Sequence, residues 1–429
     1  MGFLASTEGI LAKSLQVCLW EFSSQHSSDL RTPPATRKTT RHNKRDVILV
    51  SLVACVVGVT IGGLAMRWLV RATKLSKHGK EESRELDERF AQGPRKFSYA
   101  ELCAATKNFN HNEILGKGGF GGVYRGTLPL SNQPVAVKRI CQGSKQGIKE
   151  YISEVSIISK IRHRNLVQLH GWCHEKGQLL LVYEFLPKRS LDKYLFGEQW
   201  RDDLNWNRRY SIGCDIASAL LYLHDEWDQR VIHRDLKASN VMLDDDFNAK
   251  LGDFGLARVV ERKRAASHTT VVVGTFGYIA PECVITGKAS LESDIFSFGA
   301  VSLEIACGRR AVDRSLEDHC YRLVEWVWDL FGQGKVLDAA DTKLDGNFNC
   351  EEMERLMLVG LLCSHPDPKA RLNIRQVIDI LKLKAPRPHV PPTYPVAVYS
   401  AGNGPVAELS TTSDGSFCTP ENAWNIEAP

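Results

Sequence analysis

The sequence predicts an α+β fold preceded by one transmembrane helix. Three observations carry that expectation. Residues 47–66 (VILVSLVACVVGVTIGGLAM) form a twenty-residue stretch without a charge. β-rich runs at 121–126, 135–140 and 179–185 are separated by turn residues or by helix-period segments. Ile152, Val155, Ile158 and Ile161 recur at helical spacing, and a further helix is expected over 210–224.

The chain has 429 residues, enough for one large folded unit with flanking segments. Its hydrophobic content of 43% and charged content of 24% are ordinary for a globular protein. A net charge of +5 is mild at this length and argues against a nucleic-acid partner. Of twelve cysteines, eleven lie at or after Cys55, with no CxxC pair and no zinc-like spacing. Cys18 has no partner on its side of the apolar stretch, so reduced thiols in a cytosolic setting are expected for most of the chain.

At about 1.5 Å per residue, a helix over 47–66 covers about 30 Å, the hydrocarbon thickness of a bilayer. Arg41, Lys44 and Arg45 precede it, while Arg67, Arg71, Lys74 and Lys77 follow, with Trp68 suited to the interface. A buried core helix would not be apolar all round and basic at both ends. Six Lys/Arg in 31–46 against five in 67–82 leave the positive-inside rule undecided. Ala54, Gly58 and Gly62 place small side chains on one face, which permits a homodimer through close helix packing.

Six short motifs then follow in fixed order. They are Gly116-Lys117-Gly118-Gly119-Phe120-Gly121-Gly122-Val123, Val135-Ala136-Val137-Lys138, and Glu154. His233-Arg234-Asp235-Leu236-Lys237-Ala238-Ser239-Asn240, Asp253-Phe254-Gly255 and Ala280-Pro281-Glu282 complete the series. Turn residues over 127–134 between two β-rich runs form a hairpin pattern with the glycines at its leading edge. Gly116, Gly118 and Gly121 leave room for backbone to close over phosphates. A dinucleotide-binding turn uses similar glycines but needs a helix after them, and here a strand follows. Lys138 ends a strand that reads as buried, where an ammonium requires a paired charge. Two glutamates of the helical stripe could supply it: Glu154, near its edge, and Glu150 as the runner-up, which is otherwise expected to be a solvated helix residue.

In order and spacing these motifs resemble the protein kinase family over roughly residues 97–384. The resemblance implies a bilobal protein kinase fold, with a β-rich N-lobe (about 109–183) and a helical C-lobe (about 187–384). It places ATP between the lobes with Mg2+. Leu115 and the residues from Gly116 to Val123 would cover the nucleotide, and Lys138, fixed by Glu154, would hold its α- and β-phosphates. Tyr183 falls at the gatekeeper position, with backbone groups from Glu184 to Leu186 offered to adenine. Asp235 would accept the proton of an attacking hydroxyl. Lys237 would stabilise charge on the phosphate in flight, and a lysine there goes with serine/threonine specificity. Asn240 and Asp253 are hard oxygen ligands suited to a magnesium that keeps some waters. Arg234 would receive a phosphate within the segment Ser267, Thr269 and Thr270, while Thr275 is expected to contact the substrate or the catalytic loop. Glu282 with Arg371, and Asp294, resemble structural residues of the C-lobe.

Residues Gly2 to Gly9 and Val17 to Ser24 resemble the closing strands of a legume-type lectin domain, which in plant lectin receptor kinases directly precedes the membrane span. Met1-Gly2 through Ser6 also fits a myristoylation pattern, and a featureless leader is the third reading. The whole resembles a plant L-type lectin-domain receptor-like serine/threonine kinase with most of the lectin ectodomain missing, placed in the plasma membrane with its kinase domain in the cytosol. The expected organisation is a lectin-like remnant (1–26), an extracellular stalk (27–46), the span (47–66), a juxtamembrane linker (67–96), the kinase domain (97–384) and a disordered tail (385–429). Protein substrates, autophosphorylation among them, follow from the resemblance. A pseudokinase scaffold would need a broken catalytic residue. A carbohydrate-binding receptor is disfavoured by the absence of the lectin body.

Overall fold

The computed structural model describes residues 58, 60, 62–64, 66–68, 93–118, 121–140, 145–197, 203–260, 267–268, 274–316 and 320–396. The described positions between Gly58 and Trp68 are helical, with Leu64, Met66 and Trp68 exposed. No helix among the described residues is long and apolar enough to cross a membrane. Most of the expected span, Ala54 included, and the segments 1–57 and 69–92 lie outside the described residues.

The N-lobe is a six-stranded sheet with strand order β1-β5-β6-β4-β3-β2. Its strands are β1 (Arg95–Lys96), β2 (Ile114–Gly118), β3 (Gly121–Thr127), β4 (Pro134–Ile140), β5 (Leu169–Glu175) and β6 (Gln178–Glu184). Only β1 and β5 pair in parallel; the other neighbours are antiparallel. Alternation explains why β6 reads as an unbroken apolar run. Leu180 and Val182 face one way, with Val135 and Val137 of β4, onto Phe97 and the helix α1 (Tyr99–Ala105). Leu179, Leu181 and Tyr183 face the other way, onto α2 (Lys145–Ile158). Both faces are covered from Leu179 to Tyr183, so those positions are apolar or aromatic. The same alternation sends Lys138 to the α2 side, opposite Val137. Tyr151, Val155 and Ile158 seat α2 on the sheet.

The C-lobe is mainly helical: α3 (Leu191–Phe196), α4 (Trp206–Leu221), α5 (Pro281–Thr286), α6 (Leu291–Cys307), α7 (Leu323–Gly332), α8 (Cys350–Cys363) and α9 (Ile374–Leu381). Short ladders join β7 (Arg230–Ile232) to β10 (Arg258–Val260), and β8 (Val241–Leu243) to β9 (Ala249–Leu251). A further pair joins β11 (Ser267–His268) to β12 (Lys288–Ala289). Helix α6 is buried on all sides from Ser293 to Cys307, the mark of a helix inside the core rather than on it. A Cβ on its Gly299 would lie 2.4 Å from Ser364 Oγ and 2.7 Å from Gly360 O, so α6 and α8 meet backbone to backbone there. α6 starts on a capping box of Ser290 and Ser293 and stops at Gly308, whose φ is 63°.

One expectation is corrected. Residues 385–396, assigned to a disordered tail, return across the C-lobe. Arg355 Nη1 donates to Ala385 O at 2.8 Å and Trp328 Nε1 to Pro391 O at 2.9 Å. Val390 is buried and Tyr394 packs edge-on against Trp328. The prolines that suggested disorder instead hold an extended segment in a groove. Residues 397–429 lie outside the described residues.

Arg371 is fully buried and forks onto Glu282, with Nη1 to Oε1 at 2.6 Å and Nη2 to Oε2 at 2.7 Å. Removing the carboxylate leaves an uncompensated buried guanidinium. Glu282→Ala is therefore expected to lower the unfolding free energy by about 3 kcal/mol, read from the denaturant midpoint.

Candidate active site

The cleft between the lobes collects the sequence-predicted polar residues. Leu115, Gly116, Lys117 and Gly118 lie on β2, and Gly121, Gly122 and Val123 on β3, with Gly118 opposite Gly121 and Val123 opposite Lys138. Gly119 and Phe120, at the tip, lie outside the described residues. Gly121 has φ 138°, and a Cβ there would fall 1.9 Å from Arg139 O, so only glycine fits.

Lys138 Nζ lies 3.0 Å from Glu154 Oε2 and 2.8 Å from Asp253 Oδ1. Burial alone would depress its pKa; the charges of Asp253 and Glu154 outweigh that and raise it. Asp253 is the reverse case, with burial pushing its pKa up and the Lys138 ammonium bringing it below the ordinary value. Glu154, 1% exposed, is held above the usual carboxylate range by burial. The Tyr183 hydroxyl donates to Glu154 Oε1. Tyr183 thus fixes the carboxylate that fixes the lysine, a contact that nothing in the sequence signalled. Glu150 differs from the expected solvated residue: it is 4% exposed, lies beside Gly255 and bonds Gln146 at 2.9 Å. It faces into the fold because it stands one helical turn before Glu154.

At the end of β6, Tyr183 and Leu186 are buried, and the Glu184 side chain is taken by Lys250 at 2.9 Å and by the Gln168 amide at 2.8 Å.

The loop from His233 to Asn240 is built on one carboxylate. Asp294 of α6 accepts the backbone N–H of His233 at 2.7 Å and of Arg234 at 2.8 Å, and lies 3.1 Å from His224 Nε2. Arg234 sits at φ 72° and Asp253 at φ 62°, conformations that non-glycine residues keep only when their surroundings impose them. His233 Nε2 lies 3.0 Å from Gly252 O, tying the two strained turns together. Asp235 is 5% exposed; its Oδ2 lies 2.8 Å from Lys237 Nζ and accepts Asn240 Nδ2 at 3.0 Å. The Thr275 hydroxyl donates to Asp235 Oδ1 at 2.8 Å and accepts from Lys237 Nζ at 2.8 Å. Asn240 spends its amide N–H groups on Asp235, which leaves its carbonyl oxygen for a cation. With Asp253 that gives two hard oxygen donors from separate loops, a set that suits a small divalent ion completed by water and phosphate oxygens.

Beside this loop Arg234 is buried and its Nε has no hydrogen-bond partner among the described residues. Burial, then the neighbouring Arg258, lowers its pKa. Arg258 in turn donates to Ser153 Oγ of α2 at 2.8 Å. Two neighbouring positive charges, one with an unfilled donor, are a chemistry that an anion would satisfy. Arg258 was not singled out by sequence, since its neighbours along the chain carry no pattern.

Tyr278, in the segment that follows Thr275, donates to Glu304 Oε1 at 2.7 Å, and the Ala311 amide donates to the same oxygen at 2.8 Å. Glu304 is fully buried and its Oε2 lacks a partner among the described residues. Burial raises its pKa from 4.5 to about 7. A carboxyl raised in the fold contributes stability that is complete below its unfolded pKa and is lost as pH rises through the folded one. Stability of the chain should therefore fall between pH 4.5 and about 7 through this group. Glu304→Gln should flatten that slope and be more stable at pH 8 by up to about 3 kcal/mol, measured by denaturation across pH.

The family model for "Protein tyrosine and serine/threonine kinase" matches residues 109–381. The L-type lectin-domain containing receptor kinase IX.1 of Arabidopsis thaliana is 46% identical, over 96% of this chain and 63% of its own length. The VIII.1 kinase of the same plant is 48% identical over 78% of this chain and 47% of its own. The receptor kinase SIT2 of Oryza sativa is 44% identical over 92% and 58%, respectively. The chain thus spans about three-fifths or less of the length of these curated relatives.

Proposed function

We propose that this chain, which belongs to the protein tyrosine and serine/threonine kinase family, is a membrane-anchored receptor-like kinase that transfers the γ-phosphate of ATP to serine and threonine hydroxyls of proteins. The observation that carries this reading is the Asp235–Lys237–Thr275 triangle, with all three contacts at 2.8 Å. A hydroxyl already rests on the Asp235 carboxylate with an ammonium beside it, which is the environment that an acceptor hydroxyl needs.

ATP would lie under the β2–β3 glycines with its adenine at the backbone of Glu184 to Leu186. Lys138 would leave Asp253 for the α- and β-phosphates while Glu154, held by Tyr183, keeps the ammonium in place. Asp253 and Asn240 would hold Mg2+, which supplies charge neutralisation at the phosphate oxygens. Asp235 would accept the hydroxyl proton as the oxygen attacks, and Lys237 would offset charge on the moving phosphoryl group. Because the transition state is loose, positioning and charge carry most of the effect. Residues 47–66 would cross the plasma membrane once, pairing through Ala54, Gly58 and Gly62, with the kinase domain in the cytosol, where ATP is. The similarity to lectin-domain receptor kinases supports that placement.

Lys138→Met and Asp235→Asn should each reduce phosphate incorporation from labelled ATP by about 10³-fold; Asp235→Asn should leave the melting curve near that of the parent chain, whereas Lys138→Met, which strands the buried Glu154 carboxylate, should lower it. Phosphorylation among Ser267, Thr269 and Thr270 would bring a dianion to Arg234 and Arg258 and draw in α2 through Ser153. Alanine at all three positions should lower activity by about tenfold. Full activity in that triple variant, measured on an exogenous protein substrate, would remove the loop from the scheme.

A further inference from the structure

Where the loop from α2 to β5 meets β9, the fold leaves a cavity of about 370 Å³ that no step of phosphate transfer uses. Its floor is apolar, from the buried Ile161, Leu166 and Val167. Its rim is basic, from Arg162, Arg164 and Lys250. Lys250 is committed to Glu184 at 2.9 Å. Arg162 and Arg164 are exposed and form no ion pair among the described residues; Arg164 Nε reaches only the neutral Asn165 Oδ1, at 3.4 Å.

The chain enters the fold near this rim. Arg95 pairs in parallel with Gly171, so residues before Arg95 leave toward the same side as residues before Gly171, among them Gln168 on the cavity wall. Upstream of Gly93, residues 81–90 read EESRELDERF, five carboxylates against two arginines, with Leu86 and Phe90 four apart. At up to about 3.4 Å per residue, the five steps from Gly93 to Glu88 reach about 17 Å, more than the about 10 Å from Gly171 back to Gln168.

We propose that this cavity docks the acidic juxtamembrane stretch 81–90 of the same chain. Glu85, Asp87 and Glu88 meet Arg162 and Arg164, and the apolar Leu86 and Phe90 cover Ile161, Leu166 and Val167. Charge and apolar character match on both sides. The docking joins the membrane tether to the wall of the active site, because Leu166 bridges Leu251 and the Val167 amide donates to Leu251 O at 3.0 Å, two residues before Asp253. It does not rest on phosphate transfer.

Hydrogen exchange on the full chain in lipid nanodiscs tests it without reference to activity. Arg162→Glu with Arg164→Glu should speed amide exchange in 81–92 by about tenfold. Adding Glu85→Arg, Asp87→Arg and Glu88→Arg to that chain should restore protection. Unchanged exchange in α6 and α8 reports that each variant is folded. Equal exchange of 81–92 in all chains, or loss without restoration, overturns the proposal. So does protection of 161–168 by anionic lipid in a chain carrying only the three juxtamembrane reversals, which would make the bilayer surface the occupant.

Discussion

A single buried ammonium organises this fold. Lys138 leaves a strand whose other face is sealed by α1, so its charge can point only toward α2 and the cleft. There it holds Glu154 and Asp253, sixteen and 115 residues away along the chain. An unpaired charge in that position would be expensive enough to unfold or reorganise the lobe. The helix, the sheet and the loop from the C-lobe are therefore committed to one another before any ligand arrives. Tyr183 adds a fourth strand of control by fixing Glu154 from β6.

The C-lobe answers with a carboxylate of its own. Asp294 stands on a helix buried on every side, and its two oxygens take the backbone amides that begin the loop from His233 to Asn240. That anchorage sustains left-handed backbone at Arg234, and with His233 bonded to Gly252 it extends to Asp253. Strain of about 1–3 kcal/mol at each such residue persists only because the surroundings over-determine it. The result is that Asp235, Asn240, Asp253, Lys138 and Lys237 keep relative positions set by core packing rather than by surface loops.

Much of this was legible in the sequence, for physical reasons. Turn residues between β-rich runs locate the β3–β4 hairpin, and helical spacing locates α2, because those signals are local. The motif residues of the cleft were named by the resemblance of their motifs to protein kinases. Contacts between distant segments were not legible: the hydroxyl of Tyr183 on Glu154, the burial of Glu150 and the approach of the Arg258 charge to Arg234 depend on how elements cross. Composition misled at residues 385–396, where prolines suggested a free tail although Trp328 and Arg355 offer a groove for an extended chain. The additional strand β1 and helix α1, upstream of the residues that the family model matches, also carried no motif.

The central claim is that this assembled cleft moves phosphate to serine and threonine hydroxyls, and the identity of the phosphorylated amino acids tests it most directly. The full chain, incubated with γ-labelled ATP and Mg2+, can be hydrolysed in acid and its phosphoamino acids separated. The account predicts phosphoserine and phosphothreonine. Label confined to phosphotyrosine, or no label from a chain that still binds ATP, would contradict it.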